Sequence, residues 1–185
     1  KLLVWSRSKI TSGTFKAKME ARGWQSVTVV GDAADVRECD VIVTSTPSET
    51  PLLMEVKKGA VVIALGADCK GKRELGPNVF KGACVVCDSK AQCLEFGECV
   101  HAVAEGKVRE NGVAELGVLL AMAGEDGKMP LDRLGMEGKT TVVDLTGVAV
   151  QDVSIASLVY ESLSQAKHLD ADPSPSPTQS SSLPK

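Results

Sequence analysis

Short runs of aliphatic and β-branched residues recur along the first 145 positions of this chain. Between most of them the apolar spacing changes to that of a helix. The runs are "LLVW" (residues 2–5), "VTVV" (27–30), "DVIVTST" (40–46), "AVVIAL" (60–65), "ACVVCD" (83–88) and "KTTVVDL" (139–145). Their apolar residues stand at successive positions, so both faces of a strand built from them have to be covered. Such strands, separated by helix-length segments, fit an open, doubly wound parallel sheet in the α/β class. The spacing predicts helices over 11–22, with Ser12 as a possible cap and Gly23 as the stop, and from Asp32 in "DAADVREC". Further helices are expected over 91–106, 112–123 and 148–167, with "GEDGKMP" (124–130) breaking the pattern. From residue 169 onward the chain is rich in Pro and Ser and has little to bury, so a disordered tail is expected there.

The composition excludes several classes of function. A net charge of −3 leaves no basic footprint for nucleic acid, and 3% aromatic residues are too few for a base-stacking surface. No apolar run approaches the ~18 residues that cross a bilayer, and the start, "KLLVWSRSK", lacks the long apolar centre of a signal peptide. A cytoplasmic protein with no nucleic-acid or membrane partner is expected. Six cysteines include the pair "CVVC" (84–87), spaced like a metal or redox site. On a strand, positions three apart face opposite ways, so reduced structural thiols are expected rather than a metal site.

In a Rossmann sheet the first strand feeds a G-x-G-x-x-G turn that holds a pyrophosphate, and this chain contains no such turn. "LLVWSRSK" nevertheless reads as the end of a second Rossmann strand, where the cofactor ribose is recognised. An NAD-binding sheet usually places an acid there. This chain has Ser6, Arg7 and Ser8 instead. A guanidinium flanked by hydroxyls suits a 2′-phosphate, which favours NADP within an NAD(P) assignment.

Asp68 reads, from its position alone, either as a turn-capping aspartate after a strand or as a candidate for acid–base chemistry. It follows the run 60–65 directly, and ligands in this fold lie beyond the carboxyl ends of the strands. Gly66 allows the backbone to approach a flat ring closely. Lys72 and Glu74 stand near enough to fix the loop by local hydrogen bonds. His101, on a helix with an apolar opposite face, reads as a packed or solvated residue and not as a catalyst.

Seven segments in order resemble the ornithine cyclodeaminase/mu-crystallin family: "VWSRS", "CDVIVTSTPSETPLL", "KKGAVVIALGADCKGKREL", "VVCDS", "GECVHAV", "AELGVLLA" and "VVDLTGVAVQDVSIASLVYES". The resemblance covers most of residues 1–167. It implies an NAD(P)-binding Rossmann domain over residues 1–147 that lacks its first strand and glycine loop. It also implies a helix over 148–168 that returns to a substrate and dimerisation domain, and leaves 169–185 as the tail. On that reading the chain is a carboxy-terminal fragment, inactive by itself, of a homodimeric enzyme. The family's missing half supplies a substrate-binding arginine and an active-site lysine.

The resemblance also assigns roles. Asp68 matches the aspartate that acts on the substrate amine. Ser6, Arg7, Ser8, Thr44, Ser45, Thr46, Gly66, Ala67, Leu145 and Thr146 match the cofactor-binding edge. The implied reaction converts L-ornithine to L-proline and ammonia through internal hydride transfer. Alternatives within the family are a ketimine reductase, an alanine dehydrogenase-type enzyme, or an NADPH- and ligand-binding protein like mu-crystallin. In each the small-molecule partner is an amino acid, an imino acid or a comparable ligand.

Overall fold

The structure, a computed structural model, describes residues 1–122 and 138–170. The chain divides into two compact units, one ending at Gly147 and one beginning at Val148. The first is α/β with every strand pairing parallel. β1 (Leu2–Val4) and β2 (Val27–Val29) form a two-stranded sheet joined through α1 (Lys9–Ala21). β3 (Val41–Thr44), β4 (Val61–Ala64), β7 (Thr141–Asp144), β5 (Cys84–Cys87) and β6 (Val113–Glu115) form a second sheet in that spatial order.

The five strands end in register. Thr44 lies opposite Ala64, Ala64 opposite Asp144, Asp144 opposite Cys87, and Cys87 opposite Glu115. The loops that leave β3, β4 and β7 therefore start side by side at one edge. Under the sheet, Ile42, Val62, Ala64, Val85, Cys87 and Val142 pack with Leu53, Leu75, Val79 and Phe80, and with residues of α2 (Lys90–Phe96) and α3 (Glu98–Ala104). Each large side chain fully buried there contributes about 1.5–3 kcal/mol.

Four expectations need correction. The cap of α1 is Ser8, whose side chain accepts the Thr11 N–H, while Ser12 sits one turn inside the helix and is buried. A hydroxyl caps only from the extended residue before the first turn, and Ser8 has that backbone conformation. The single helix expected over 91–106 is two, α2 and α3, divided at Gly97. The helix expected over 112–123 begins as strand β6 and becomes α4 (Leu116–Ala121) only after it, because Val113–Glu115 pairs with β5. Finally, the strands are not covered on both faces throughout: Val41 and Val43 on edge strand β3 are 60% and 58% exposed.

The second unit holds α5 (Ala149–Asp170), which ends two residues beyond the helix expected to end at 168. The break expected at 124–130 lies outside the described residues; of the tail expected from 169 on, the first two residues belong to α5 instead, and the rest lies outside the described residues. Among the described residues no helix is long and apolar enough to cross a membrane, and no group of His, Cys, Asp and Glu is placed to hold a metal. None of the six cysteines forms a disulfide.

Candidate active site

The edge formed by the ends of β3, β4 and β7 carries eight of the eleven singled-out residues. Thr44, Ser45 and Thr46 leave β3; Gly66, Ala67 and Asp68 follow β4 closely; Leu145 and Thr146 leave β7. Thr44 belongs to β3 itself, and the others lie in the loops. Backbone hydrogen bonds continue one step past the strands, from Leu65 N–H to the Thr44 carbonyl (2.8 Å) and from Leu145 N–H to the Ala64 carbonyl (2.9 Å). The three loop starts are thereby held together.

A buried carboxylate fixes two of these starts. Glu74 is fully buried and accepts the Thr46 N–H at 2.6 Å and the Gly66 N–H at 3.0 Å. Gly66 has no alternative residue at this spot. A Cβ on it would stand 2.3 Å from the Thr46 carbonyl oxygen and 2.5 Å from the Glu74 carboxyl group. The glycine expected to admit a ring therefore first admits the glutamate. Glu98, also fully buried, accepts the N–H groups of Glu74 (2.5 Å) and Leu75 (3.1 Å) from α3. Burial pushes its carboxyl up to about 7 against the pull of those two donors.

Asp68 stands at the far side of this loop and is exposed, with Gly71 in a left-handed turn (φ +88°) bringing Lys72 back to it. Lys72 Nζ lies 2.5 Å from Asp68 Oδ1. This hydrogen bond holds the Asp68 carboxyl below its usual range and raises the Lys72 ammonium above its own. At neutral pH the pair is ionised, and Asp68 offers a negative charge beyond the end of β4.

At the end of β7 a second carboxylate organises the loop 145–147. Asp88 accepts the Gly147 N–H at 2.7 Å, the Thr146 hydroxyl at 3.2 Å and its neighbour Ser89's N–H at 2.8 Å. Burial opposes its charge, yet the N–H of Ser89, the Cys93 thiol and the backbone of Gly147 and Thr146 together hold it below its usual range. Gln92 completes the clamp, donating to the Thr146 hydroxyl (2.9 Å) and the Gly147 carbonyl (2.6 Å). The Thr146 hydroxyl thus has an internal acceptor and an internal donor. Its contribution to the edge is the backbone it fixes.

Thr44 Oγ1, by contrast, is buried at the strand end with no hydrogen-bond partner among the described residues. Asp144 Oδ1 is likewise unpartnered, while Oδ2 accepts the Cys99 N–H at 2.8 Å at the start of α3. Burial raises the Asp144 carboxyl. Ala67 is buried, Ser45 is exposed, and Leu145 and Thr46 are half-buried.

Ser6, Arg7 and Ser8 lie after β1, in the other sheet. Ser6 Oγ bonds the Ser8 carbonyl and the Ser12 hydroxyl, and Ser8 Oγ caps α1. Arg7 is exposed and makes no side-chain hydrogen bond or ion pair with another described residue, at the amino end of a 13-residue helix. Glu74, Glu98, Asp88, Gln92 and Asp144 were not singled out by sequence reasoning as site residues. The available signal was an acid in each of "KREL", "GEC", "VVCDS" and "VVDL", beside otherwise apolar segments.

The model of the ornithine cyclodeaminase/mu-crystallin family matches residues 1–167. The iminosuccinate reductase of Paracoccus denitrificans (strain Pd 1222) is 41% identical over 133 residues, which are 71% of this chain and 38% of that protein. Its crystal structure in complex with NAD+ is similar with a TM-score of 0.75 at 35% identity, covering 91% of this chain and 50% of that one. The alanine dehydrogenase of Archaeoglobus fulgidus is 36% identical over 71% of this chain and 40% of its own length. The ketimine reductase mu-crystallin of Macropus fuliginosus is 33% identical over 89% of this chain and 48% of its own. The chain thus spans about half, or less, of the length of the relatives it matches. It belongs to the ornithine cyclodeaminase/mu-crystallin family.

Proposed function

We propose that this chain carries most of the cofactor-binding domain of an NAD(P)-dependent oxidoreductase acting at the α-carbon of a small amino or imino acid. The observation that carries the reading is the placement of Asp68, ionised and exposed, beyond the end of β4 beside the ends of β3 and β7. Relatives that are reductases and dehydrogenases support it.

The residues present fit a dinucleotide in part. The unpartnered Thr44 hydroxyl at the strand edge offers an atom for a ligand to bond. The unpaired Arg7 at the start of α1 suits a 2′-phosphate, which favours NADP. No glycine-rich turn for the pyrophosphate occurs in this sequence. Thr44, Ser45, Thr46, Gly66, Ala67, Leu145 and Thr146 would hold the nicotinamide side, mostly through backbone fixed by Glu74 and Asp88. Bound there, a nicotinamide takes up or returns a hydride at the substrate carbon.

This chain's own part is proton handling. An amine is cationic at neutral pH and must lose a proton before its nitrogen lone pair can act. Asp68 attracts the ammonium group, which displaces Lys72 from the carboxylate. It then accepts the proton as the amine's lone pair is released. A positioned carboxylate contributes about 10²–10⁴-fold to such a step. In the reductive direction Asp68 returns that proton to the nitrogen.

Cyclisation of L-ornithine to L-proline with loss of ammonia is the finer reading. The acid at position 68 favours it, because ring closure needs a second, δ-amine deprotonated for attack. A homodimer is expected of the full-length protein. The full-length protein should be assayed with NADH and NADPH on cyclic imino acids, iminosuccinate, and pyruvate plus ammonium, and with NAD+ on L-ornithine for ammonia release. Asp68→Asn should lower kcat on the active substrate by about 10²–10⁴-fold. Equal activity of the variant, or no turnover of any of these substrates, would overturn the proposal.

A further inference from the structure

Helix α3 presents three side chains to the loop that bears Asp68, at helical positions i, i+3 and i+7. Glu98 accepts the N–H groups of Glu74 and Leu75. His101 Nε2 lies 3.3 Å from the Lys72 carbonyl, and because a carbonyl only accepts, that nitrogen carries the proton. Glu105, the residue that caps α3, pairs with Arg73 at 2.8 Å, both partly buried, and Arg73 Nε in turn bonds the Leu75 carbonyl at 3.1 Å. The spacing puts all three on one face.

The helix is itself fixed to the sheet. Asp144, the last residue of β7, accepts the Cys99 N–H, and a Cβ on Gly97 would stand 2.5 Å from Asp144 Oδ2. Loop 66–75 is therefore pinned at both ends, at Gly66 by Glu74 and at residues 72–75 by α3. Residues 67–71 are left as an arch carrying Asp68 between them. Lys72, whose ammonium holds Asp68, has its backbone held by His101.

We infer that Glu98, His101 and Glu105 are positioning residues: through the backbone of Lys72–Leu75 they set where the Asp68 carboxylate stands relative to the edge of the sheet. The anchoring follows from the geometry alone, whereas its catalytic meaning rests on the function proposed above.

The test uses the full-length protein with His101→Ala, Glu105→Ala and the double variant, and Glu20→Ala on the exposed face of α1 as the control. Hydrogen exchange followed by mass spectrometry reads the peptide over 66–76, with the peptide over β5 as internal reference. Each single variant should speed exchange of the loop by roughly two- to tenfold, the scale of one lost hydrogen bond. The double variant should exceed either, with β5 and the control unchanged. On the active substrate kcat should fall about tenfold while the KM of the nicotinamide cofactor stays within about twofold, because the arch moves and the strand ends do not. Unchanged loop exchange overturns the inference, as does a loosened loop with unchanged kcat. If the wild-type protein turns over none of the substrates, the proposed function fails and the exchange data alone decide the anchoring. Glu105→Ala removes one partly exposed ion pair and no core contact, so it gives a reading even if His101→Ala does not fold.

Discussion

At the scale of single residues, the Asp68–Lys72 pair sets the pH behaviour. Asp68 has a lowered carboxyl because Lys72 donates to it, so it stays ionised down to acid pH. Replacing Lys72 by Met removes that donor, and Asp68 titrates closer to its ordinary range. The acid limb of the kcat/KM profile should then shift to higher pH, whereas Lys70→Met, which breaks only the exposed Lys70–Glu95 pair, should leave it in place. An acid limb that does not move in Lys72→Met would show that Asp68 is not the group being read. Gly66→Ala makes a second test: its Cβ would enter the space of the Glu74 carboxyl and the Thr46 carbonyl oxygen. Overpacking of this kind costs about 1–3 kcal/mol, seen as a lower melting temperature, and it would push apart the starts of two site loops. The Asp68–Lys72 contact was legible in the sequence because it is local, spanning four positions across a turn, whereas Gly66 was singled out as room for a ring and not for the Glu74 carboxyl that it admits. Glu74 was read only as a loop residue. Its bond from Gly66, eight positions away, is the local loop-fixing contact expected of it, but its bond from Thr46, 28 positions away, follows from no spacing rule.

At the scale of elements, the sheet was legible and some helices were not. Four-residue strands set in longer runs of aliphatic and β-branched residues announce themselves, and β3, β4, β5 and β7 all fall inside their expected runs. β6 has only three residues and runs straight into apolar helix α4, so its helical spacing concealed a strand that β5 recruits by pairing. The break between α2 and α3 is a tertiary effect, since Gly97 ends one helix where the Asp144 carboxyl leaves no room for a side chain. The buried start of α3 carries a pH-dependent stability. Glu98 titrates near 4.5 when unfolded and at about 7 when folded, so the folded state binds the extra proton between those values. Stability from this group is full below about pH 4.5 and is lost as pH rises through 7, a change on the order of 3 kcal/mol. The facing acids do not cancel it: Asp144 is raised by burial and has the same sign, and Asp88 is lowered, so it titrates in more acid solution. Denaturant unfolding at pH 5 and pH 7.5 should show wild-type stability falling with pH and Glu98→Gln with a flatter dependence. Equal slopes for both would remove Glu98 as the cause.

At the scale of the whole molecule, the exposed apolar surface is the dominant fact. β3 is the outer strand of its sheet, with Val41 and Val43 open to solvent and a free backbone edge. Among the described residues β1 pairs only with β2, and the two sheets share no ladder. In α5, Val150, Val153, Ile155, Leu158, Val159, Tyr160 and Leu163 are all more than half exposed and lie on every side of the helix. A helix apolar all round belongs in a protein interior. An uncovered parallel edge recruits other chains through its unpaired N–H and carbonyl groups. These two surfaces act independently, one through backbone pairing and one through burial of side chains, so each can be removed separately. The 185-residue chain expressed alone is therefore expected to elute as large assemblies and to melt without a sharp transition. Val41→Lys with Val43→Lys should slow assembly by charging the edge, and truncation before Ala149 should slow it by removing the apolar helix. The combination should have the largest effect. A monomer with a cooperative melt and bound NADPH, obtained from the unaltered chain, would show instead that β3 and α5 are stable as they stand and need no cover.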